Sequence, residues 1–388
     1  MSGGAVYGEP RVAAATAEYD SLPSRPRDRG FRDPDFGGGG LTMVLEQCAE
    51  FGGMERIARL VMERWPETRV VTPRFRDDAG PTLFPGATHI DFAGSRTHFR
   101  APLHALRMQR AVRLDGEVVL ALHSSGWALG PRAAPGVPVV AFTNGTPRWM
   151  GLQMPFYVRD RAWLVRVAAR ASLPLHDRVQ RRLRARADVI LACSEYAAAK
   201  LPEPVSVLHP PVAVEQFTGP GDPDGHVVAV ARLVAHKRID VLVEAMRGRR
   251  ERLFVVGAGP ELARLRRDAP ANVEFTGQID DDQLAVLLGG ARALVHPTFE
   301  EFGIVMAEAL ASGVPVIAPR AGGALEIVED GRTGHLLAQV TPTTIRNALD
   351  DLEFDPVTCR EGAERFGPER FVDELGAILD AARNAARR

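Results

Sequence analysis

With 388 residues, 45% of them hydrophobic and 25% charged, the chain is long enough for two cores and has the make-up of an ordinary water-exposed protein. No apolar run nears the ~18 residues of a membrane span, the N-terminal stretch lacks a basic-then-apolar leader, and three cysteines are too few for a disulfide framework or a zinc site, so a cytoplasmic location is expected. The net charge of −1 hides an asymmetry, because residues 41–200 hold 23 Lys and Arg against 14 Asp and Glu, whereas residues 201–388 hold 20 against 29.

A basic first half suits an anionic partner, such as a phosphorylated acceptor, a lipid pyrophosphate or the inner face of a membrane touched peripherally. Solvated arginine-rich helices are the plainer explanation of the same charge. Lysine is confined to Lys200 and Lys237, so a lysine inside a motif marks a place where a compact ammonium is wanted and a guanidinium does not fit.

Residues 1–40, rich in Gly and Pro and without apolar period, are expected to form a mobile extension. From Leu41 the pattern alternates. LTMVLEQ reads as a strand, Gly52-Gly53 as a turn, MERIARLVMERW as a helix and TRVVTPRF as a strand again. EVVLALH, VPVVAFT and ADVILACS are continuous apolar strands of the buried parallel kind, the last following an arginine-rich helical stretch, Arg161 to Arg186. The Pro- and Gly-dense segment 202–225 reads as a hinge. A second series follows: strands in HVVAVARL, RLFVVGAG, ALVHPT and VPVIAP, with helices near residues 239–246, 261–267, 283–291 and 305–311 between them. The expected fold is α/β, two Rossmann-like doubly wound domains facing across a cleft: 41–205, basic and acceptor-binding, and 206–370, with a terminal amphipathic helix over 371–388 returning toward the first.

In such sheets ligands bind beyond the carboxyl ends of the strands, where helix N-termini point. Arg232 closes the strand VVAVARL and Lys237 sits five residues on, so the two cations can converge on one anion. When a sugar leaves a nucleoside diphosphate, fixed cations stabilise the charge that builds on the leaving oxygen and can stand in for a metal ion. In HPTFEEFGIVMAEALASGVPVIAP, Glu300 lies in a loop after a strand, and Gly303 permits close backbone approach. A helix starts near Ile304, offering the amides of Gly303, Ile304 and Val305 to a phosphate. Glu308 lies about 6 Å further along that helix, within reach of a ribose diol. Two exposed loop cations and an acidic helix entry are the plain alternative.

These segments, ARLVAHKRIDVLVEA, Glu300 to Glu308 and GGALEIVEDGRTGHLL, together with CAEFGGMERIA near the start, resemble the retaining glycosyltransferases of family 4, within the glycosyl transferases group 1. The second half matches better than the first. The resemblance implies the GT-B fold and no catalytic metal or other cofactor, with a nucleoside-diphosphate sugar as co-substrate. It implies that Arg232 and Lys237 hold the diphosphate, Gly52 and Gly53 approach it, Glu308 binds the ribose, Glu300 faces the sugar and Ile279 lies beside the base. Where family members carry a histidine facing the reacting sugar, this chain has TNGTPRW, with Asn144 nearest that position; Asn can hydrogen-bond but cannot titrate. Arg148, Trp149 and His123 are candidates for the acceptor side.

GAGPEL at Gly257 lacks the third glycine of a dinucleotide fingerprint. Asp33-Pro34-Asp35 and Asp222-Pro223-Asp224 lie in apparent tail and loop and are not expected to bind metal. The reading is a retaining, metal-independent transfer of a sugar from a nucleoside diphosphate to an acceptor hydroxyl on a glycan, lipid-linked or small-molecule acceptor, with Glu300, Arg232, Lys237 and Asn144 as the reacting set and no nucleic-acid partner. Two alternatives stay open: a nucleotide-sugar epimerase on the same double fold, and a nucleotide-sugar-binding protein without turnover.

Overall fold

The computed structural model describes residues 40–45, 53–72, 88–89, 113–123, 129, 132–144, 163–202, 204–217, 219 and 225–388. Of the extension expected over 1–40, residues 1–39 lie outside the described residues, as do Gly52, Arg148, Trp149 and both Asp-Pro-Asp runs, whereas Gly40 is buried and its carbonyl accepts from the Glu117 amide at 2.7 Å.

The first half builds a parallel sheet in the order β3-β2-β1-β5-β7-β8-β9. Its strands are β1 (Leu41–Leu45), β2 (Arg69–Thr72), β3 (Thr88–His89), β5 (Val118–His123), β7 (Val139–Thr143), β8 (Val189–Ala192) and β9 (Ser206–Val207). The short β4 (Arg113–Leu114) and β6 (Arg132–Ala133) pair with each other apart from it. Buried apolar runs such as LTMVL and VVAFT suit strands covered on both faces, and the intervening chain supplies helix α1 (Gly53–Arg64) and the long α2 (Trp163–Arg184). The stretch expected as a hinge contains β9, the last strand of this sheet, and a short helix, α3 (Glu195–Ala198), precedes it.

The second half repeats the plan with the order β12-β11-β10-β13-β14-β15, again all parallel. Its strands are β10 (His226–Val230), β11 (Leu253–Val256), β12 (Val273–Gly277), β13 (Ala291–Val295), β14 (Val316–Pro319) and β15 (Gly334–Leu337). Helices α4 (Ile239–Ala245), α5 (Leu262–Asp268), α6 (Asp281–Gly289), α7 (Ile304–Ala311) and α8 (Ala324–Ile327) connect them, and α9 (Pro342–Asp350) and α10 (Pro356–Glu364) follow. The last helix, α11 (Pro368–Ala386), returns to the first half: Phe371 meets Phe142 edge-on at 6.0 Å, and Arg383 and Arg387 donate to Glu117 at 3.1 and 2.6 Å. Two Rossmann-like domains are therefore present, as expected from the alternation of strand and helix.

In both sheets the order reverses beside the first strand. β1 has β2 on one side and β5 on the other; β10 has β11 and β13. The crevice at each reversal is where a doubly wound sheet accepts a ligand, because successive crossovers leave on opposite faces there. The chain just past β10 and β13 in one half, and past β1 in the other, is thus the place to look.

Candidate active site

Beyond β10 the chain runs through Arg232, which is exposed, into a single 3-10 turn, Ala235–Lys237, where His236 and Lys237 are buried. The loop after β11 presses against this segment. The Leu233 amide donates to Ala258 O at 2.8 Å and the Glu261 amide to Leu233 O at 3.0 Å. A Cβ at Gly257 would come within 2.0 Å of Ala231 O, and one at Gly259 within 2.3 Å of Leu233 O. The glycines of GAGPEL therefore brace the Arg232 loop, which accounts for them without a dinucleotide. Arg238, with φ of 53°, is the one non-glycine in the left-handed region among the described residues, and it anchors the turn by donating to Val340 O at 3.0 Å.

Beyond β13, the Thr298 hydroxyl donates to His236 O at 3.0 Å, which ties the second loop to the first. Lys237 Nζ then forms an ion pair with Glu300 Oε1, both side chains about nine-tenths buried, and His296 Nε2 lies 3.8 Å from the same oxygen. Read from the sequence, Lys237 serves the phosphate and Glu300 the sugar; in the fold they touch, so each sets the position of the other. Gly303, at φ 97°, turns the chain into α7, whose first amides have no partner within the helix. Behind the loop, the Gly323 amide donates to Glu300 O at 3.0 Å, and a Cβ at Gly323 would come within 2.1 Å of Phe302 O. Glu308, one turn into α7, is buried, and that burial pushes its carboxyl above the usual range, Arg56 opposing the shift and Asp281 adding to it.

The first half closes on this site. The start of α1 abuts the start of α7, a Cβ on Gly53 falling 3.1 Å from Ile304 Cδ1. Arg56, on the first turn of α1, donates to Glu308 Oε1 at 2.7 Å and to Asp281 Oδ1. Ser194, which caps α3, donates its hydroxyl to Glu301 O at 2.5 Å. Glu326 of α8 accepts from the Glu195 and Tyr196 amides at 2.9 and 3.1 Å and meets His209 Nε2 at 2.9 Å. Burial raises the Glu326 carboxyl, but His209 and the two amides outweigh it and hold it below the usual range. Asn144 follows β7 directly and is half-buried; His123 ends β5; Ile279 lies between β12 and α6, half-buried.

The fold thus sets the Lys237–Glu300 pair beside Gly303, Ile304, Val305 and Glu308 of α7, with Gly53 opposite Ile304, while Arg232 is exposed on the loop after β10. Arg56, Asp281 and Glu326 were not singled out from the sequence, although Arg56 stands in GGMER and Glu326 in GGALEIV. Among the described residues no group of three or more His, Cys, Asp or Glu is placed to hold a metal ion, and no helix is long and apolar enough to cross a membrane.

The profile of the family described as "Glycosyl transferases group 1" matches residues 215–369. Over 322 residues the chain is 30% identical to a GDP-mannose-dependent alpha-(1-6)-phosphatidylinositol monomannoside mannosyltransferase of Mycolicibacterium smegmatis, covering 70% of this chain and 79% of that protein. The chain belongs to the group 1 glycosyl transferases. This glycosyltransferase is also 29% identical over 317 residues to a phosphatidyl-myo-inositol mannosyltransferase of Mycobacterium leprae, covering 76% of this chain and 80% of that one. Sucrose-phosphate synthase from Thermosynechococcus elongatus superposes with a TM-score of 0.67 at 18% identity, over 89% of this glycosyltransferase and 100% of that chain. Anabaena HepE in complex with UDP-glucose gives 0.64 at 18%, over 88% and 99%. At that identity the two structures speak for the GT-B fold alone.

Proposed function

We propose that this glycosyltransferase moves a hexosyl unit, mannose from GDP-mannose first among candidates, to a hydroxyl of an anionic acceptor of the phosphatidylinositol type, with retention and without a metal ion. The observation that carries the donor assignment is the buried Lys237–Glu300 pair beside the N-terminus of α7, at the reversal point of the second sheet. There Lys237, Arg232 and the amides of Gly303, Ile304 and Val305 meet the diphosphate, with Gly53 approaching from the first half. Glu308 takes the ribose, Ile279 the base, and Glu300, steadied by Lys237, a sugar hydroxyl.

In keeping with the family resemblance, the acceptor attacks on the face the phosphate leaves. The bond from acceptor oxygen to anomeric carbon forms as the bond from that carbon to the β-phosphate oxygen breaks, and the acceptor proton passes to that oxygen. Asn144 supports a hydroxyl without titrating. The mannosyltransferase names of two relatives sharing about 30% identity support the choice of donor and acceptor, and the basic first half supports an anionic acceptor at a membrane surface.

The test is incubation of the full chain with GDP-mannose, phosphatidylinositol vesicles and EDTA, with the product's anomeric configuration read by NMR. An α-linked mannosyl lipid formed in EDTA is the expected result. A β-linked product defeats retention, dependence on added magnesium defeats the metal-free site, and donor conversion without acceptor points to an epimerase instead. Failure with GDP-mannose but transfer from another nucleotide sugar changes the donor and leaves the site standing.

A further inference from the structure

Glu308 is nearly sealed, with 4% of its side chain exposed, and the group that meets it comes from the other half of the chain. Arg56 places Nη1 on Glu308 Oε1 at 2.7 Å and Nη2 on Asp281 Oδ1, so one planar guanidinium bridges α1 to both α7 and α6. A third of the Arg56 side chain is exposed, whereas Asp281 is at 19% and Glu308 at 4%. The carboxylate is thus enclosed, and the arginine is the member that solvent reaches.

A carboxylate buried to this depth is costly to leave without a donor, so whatever replaces Arg56 must itself donate. A vicinal diol does so with two neutral hydroxyls, whereas the negative charge of a phosphate would repel Glu308. The site is also placed for the exchange, because Glu308 lies one turn from the α7 amides and Gly53 of α1 abuts Ile304.

We infer that Arg56 tunes the specificity of the donor site: it occupies Glu308 and yields it to the ribose diol of a nucleoside diphosphate, so it lowers the affinity for ribonucleosides and leaves that for simple phosphates unchanged. This rests on the donor reading above and adds that the arginine competes with the ribose and does not bind the phosphates. Asp281 holds the second arm of the guanidinium, so the exchange needs a pivot of one side chain and no unfolding of α1.

The test is calorimetric titration of the full chain, wild type, Arg56→Ala and Arg56→Lys, with GDP and with inorganic pyrophosphate. With the competitor gone, Arg56→Ala is expected to bind GDP about tenfold more tightly while pyrophosphate affinity stays at the wild-type value. Arg56→Lys, which keeps the charge but cannot fork across two carboxylates, falls between and decides the matter where the alanine variant does not fold. Weaker binding of both ligands in the variants overturns the inference by making Arg56 a phosphate ligand; unchanged binding of both overturns it as well. If wild type binds neither GDP nor, in the same titration, UDP or ADP, the donor reading itself fails and this inference falls with it.

Discussion

Replacing Lys237 by alanine removes one half of an ion pair whose members expose only 11% and 10% of their side chains. The carboxylate left behind has no water shell, and stranding a buried charge costs about 3–5 kcal/mol. The expected cost is the low end of that range, about 3 kcal/mol. For a unit the size of the second half, that is a fall in Tm of roughly 6–12 °C, read by thermal denaturation. Taking away the partner charge too, in Lys237→Met with Glu300→Gln, removes the stranded charge and should return most of that Tm. Turnover behaves differently. If the ammonium also stabilises the leaving diphosphate, the double variant stays down by about 10²–10³ in kcat although its stability is back. A double variant as unstable as the single one would refute the pairing argument. Wild-type turnover by Lys237→Ala at saturating donor would refute the catalytic one.

Three further outcomes follow from other parts of the fold. Glu326 has its carboxyl held below the ordinary 4.5, so its contribution to stability is complete above that value and is lost as pH falls through the lower folded value; Glu326→Gln should flatten the acid limb of a urea-midpoint profile below about pH 4.5, and an unaltered limb would exclude the clamp. Arg238 bears the left-handed conformation at a cost of about 1–2 kcal/mol and recovers part of it through its bond to Val340 O, so Arg238→Gly should exceed Arg238→Ala in stability by about 1 kcal/mol in chemical denaturation. Gly323→Ala drives a methyl into Phe302 O, 2.1 Å away, and should lower stability by about 1–3 kcal/mol and shift the Glu300 loop enough to depress turnover. Gly331→Ala, at a glycine whose φ is 76° and which has open space around it, should lower stability with turnover intact, and equal loss of activity in both would argue against a positioning role for Gly323.

Much of the second domain was legible because its recognition groups are local. Lys237 lies seven residues past the end of β10 and Glu300 five past β13, and the strands that place them are largely buried aliphatic runs that announce themselves. β12 and β15 escaped notice for the opposite reason. β12 is an edge strand with every position at least partly exposed, and β15 is four residues containing a glycine and a histidine, so neither shows a continuous apolar run. The short helices α9 and α10 were likewise passed over; α9 declares itself by a Thr341–Thr344 capping box and a proline at its start, and α10 by Asp355 and a proline. Arg56 meets Glu308 across 252 positions of sequence, and no local pattern links them. The acceptor candidates Arg148 and Trp149 fall outside the described residues, as does the side chain of His123.

The two kinds of contact around the crevice differ in what they fix. Within the second domain the Arg232 and Glu300 loops are braced by backbone packed on backbone, at Gly257, Gly259, Gly322 and Gly323, where not even a methyl group fits. Such contacts have a single arrangement, and they hold cations and amides in place before any charge develops on a leaving group. Around the crevice, polar contacts between the domains are made by side chains: Arg56 donates to Glu308, Ser194 donates to a carbonyl, and Glu326 accepts from two amides and meets a histidine. These can be exchanged one at a time without loss of either core. Glycine changes in the braces should therefore lower stability and kcat together, whereas charge changes at the seam should act on ligand affinity first, since they alter what binding must displace and not where the reacting groups stand.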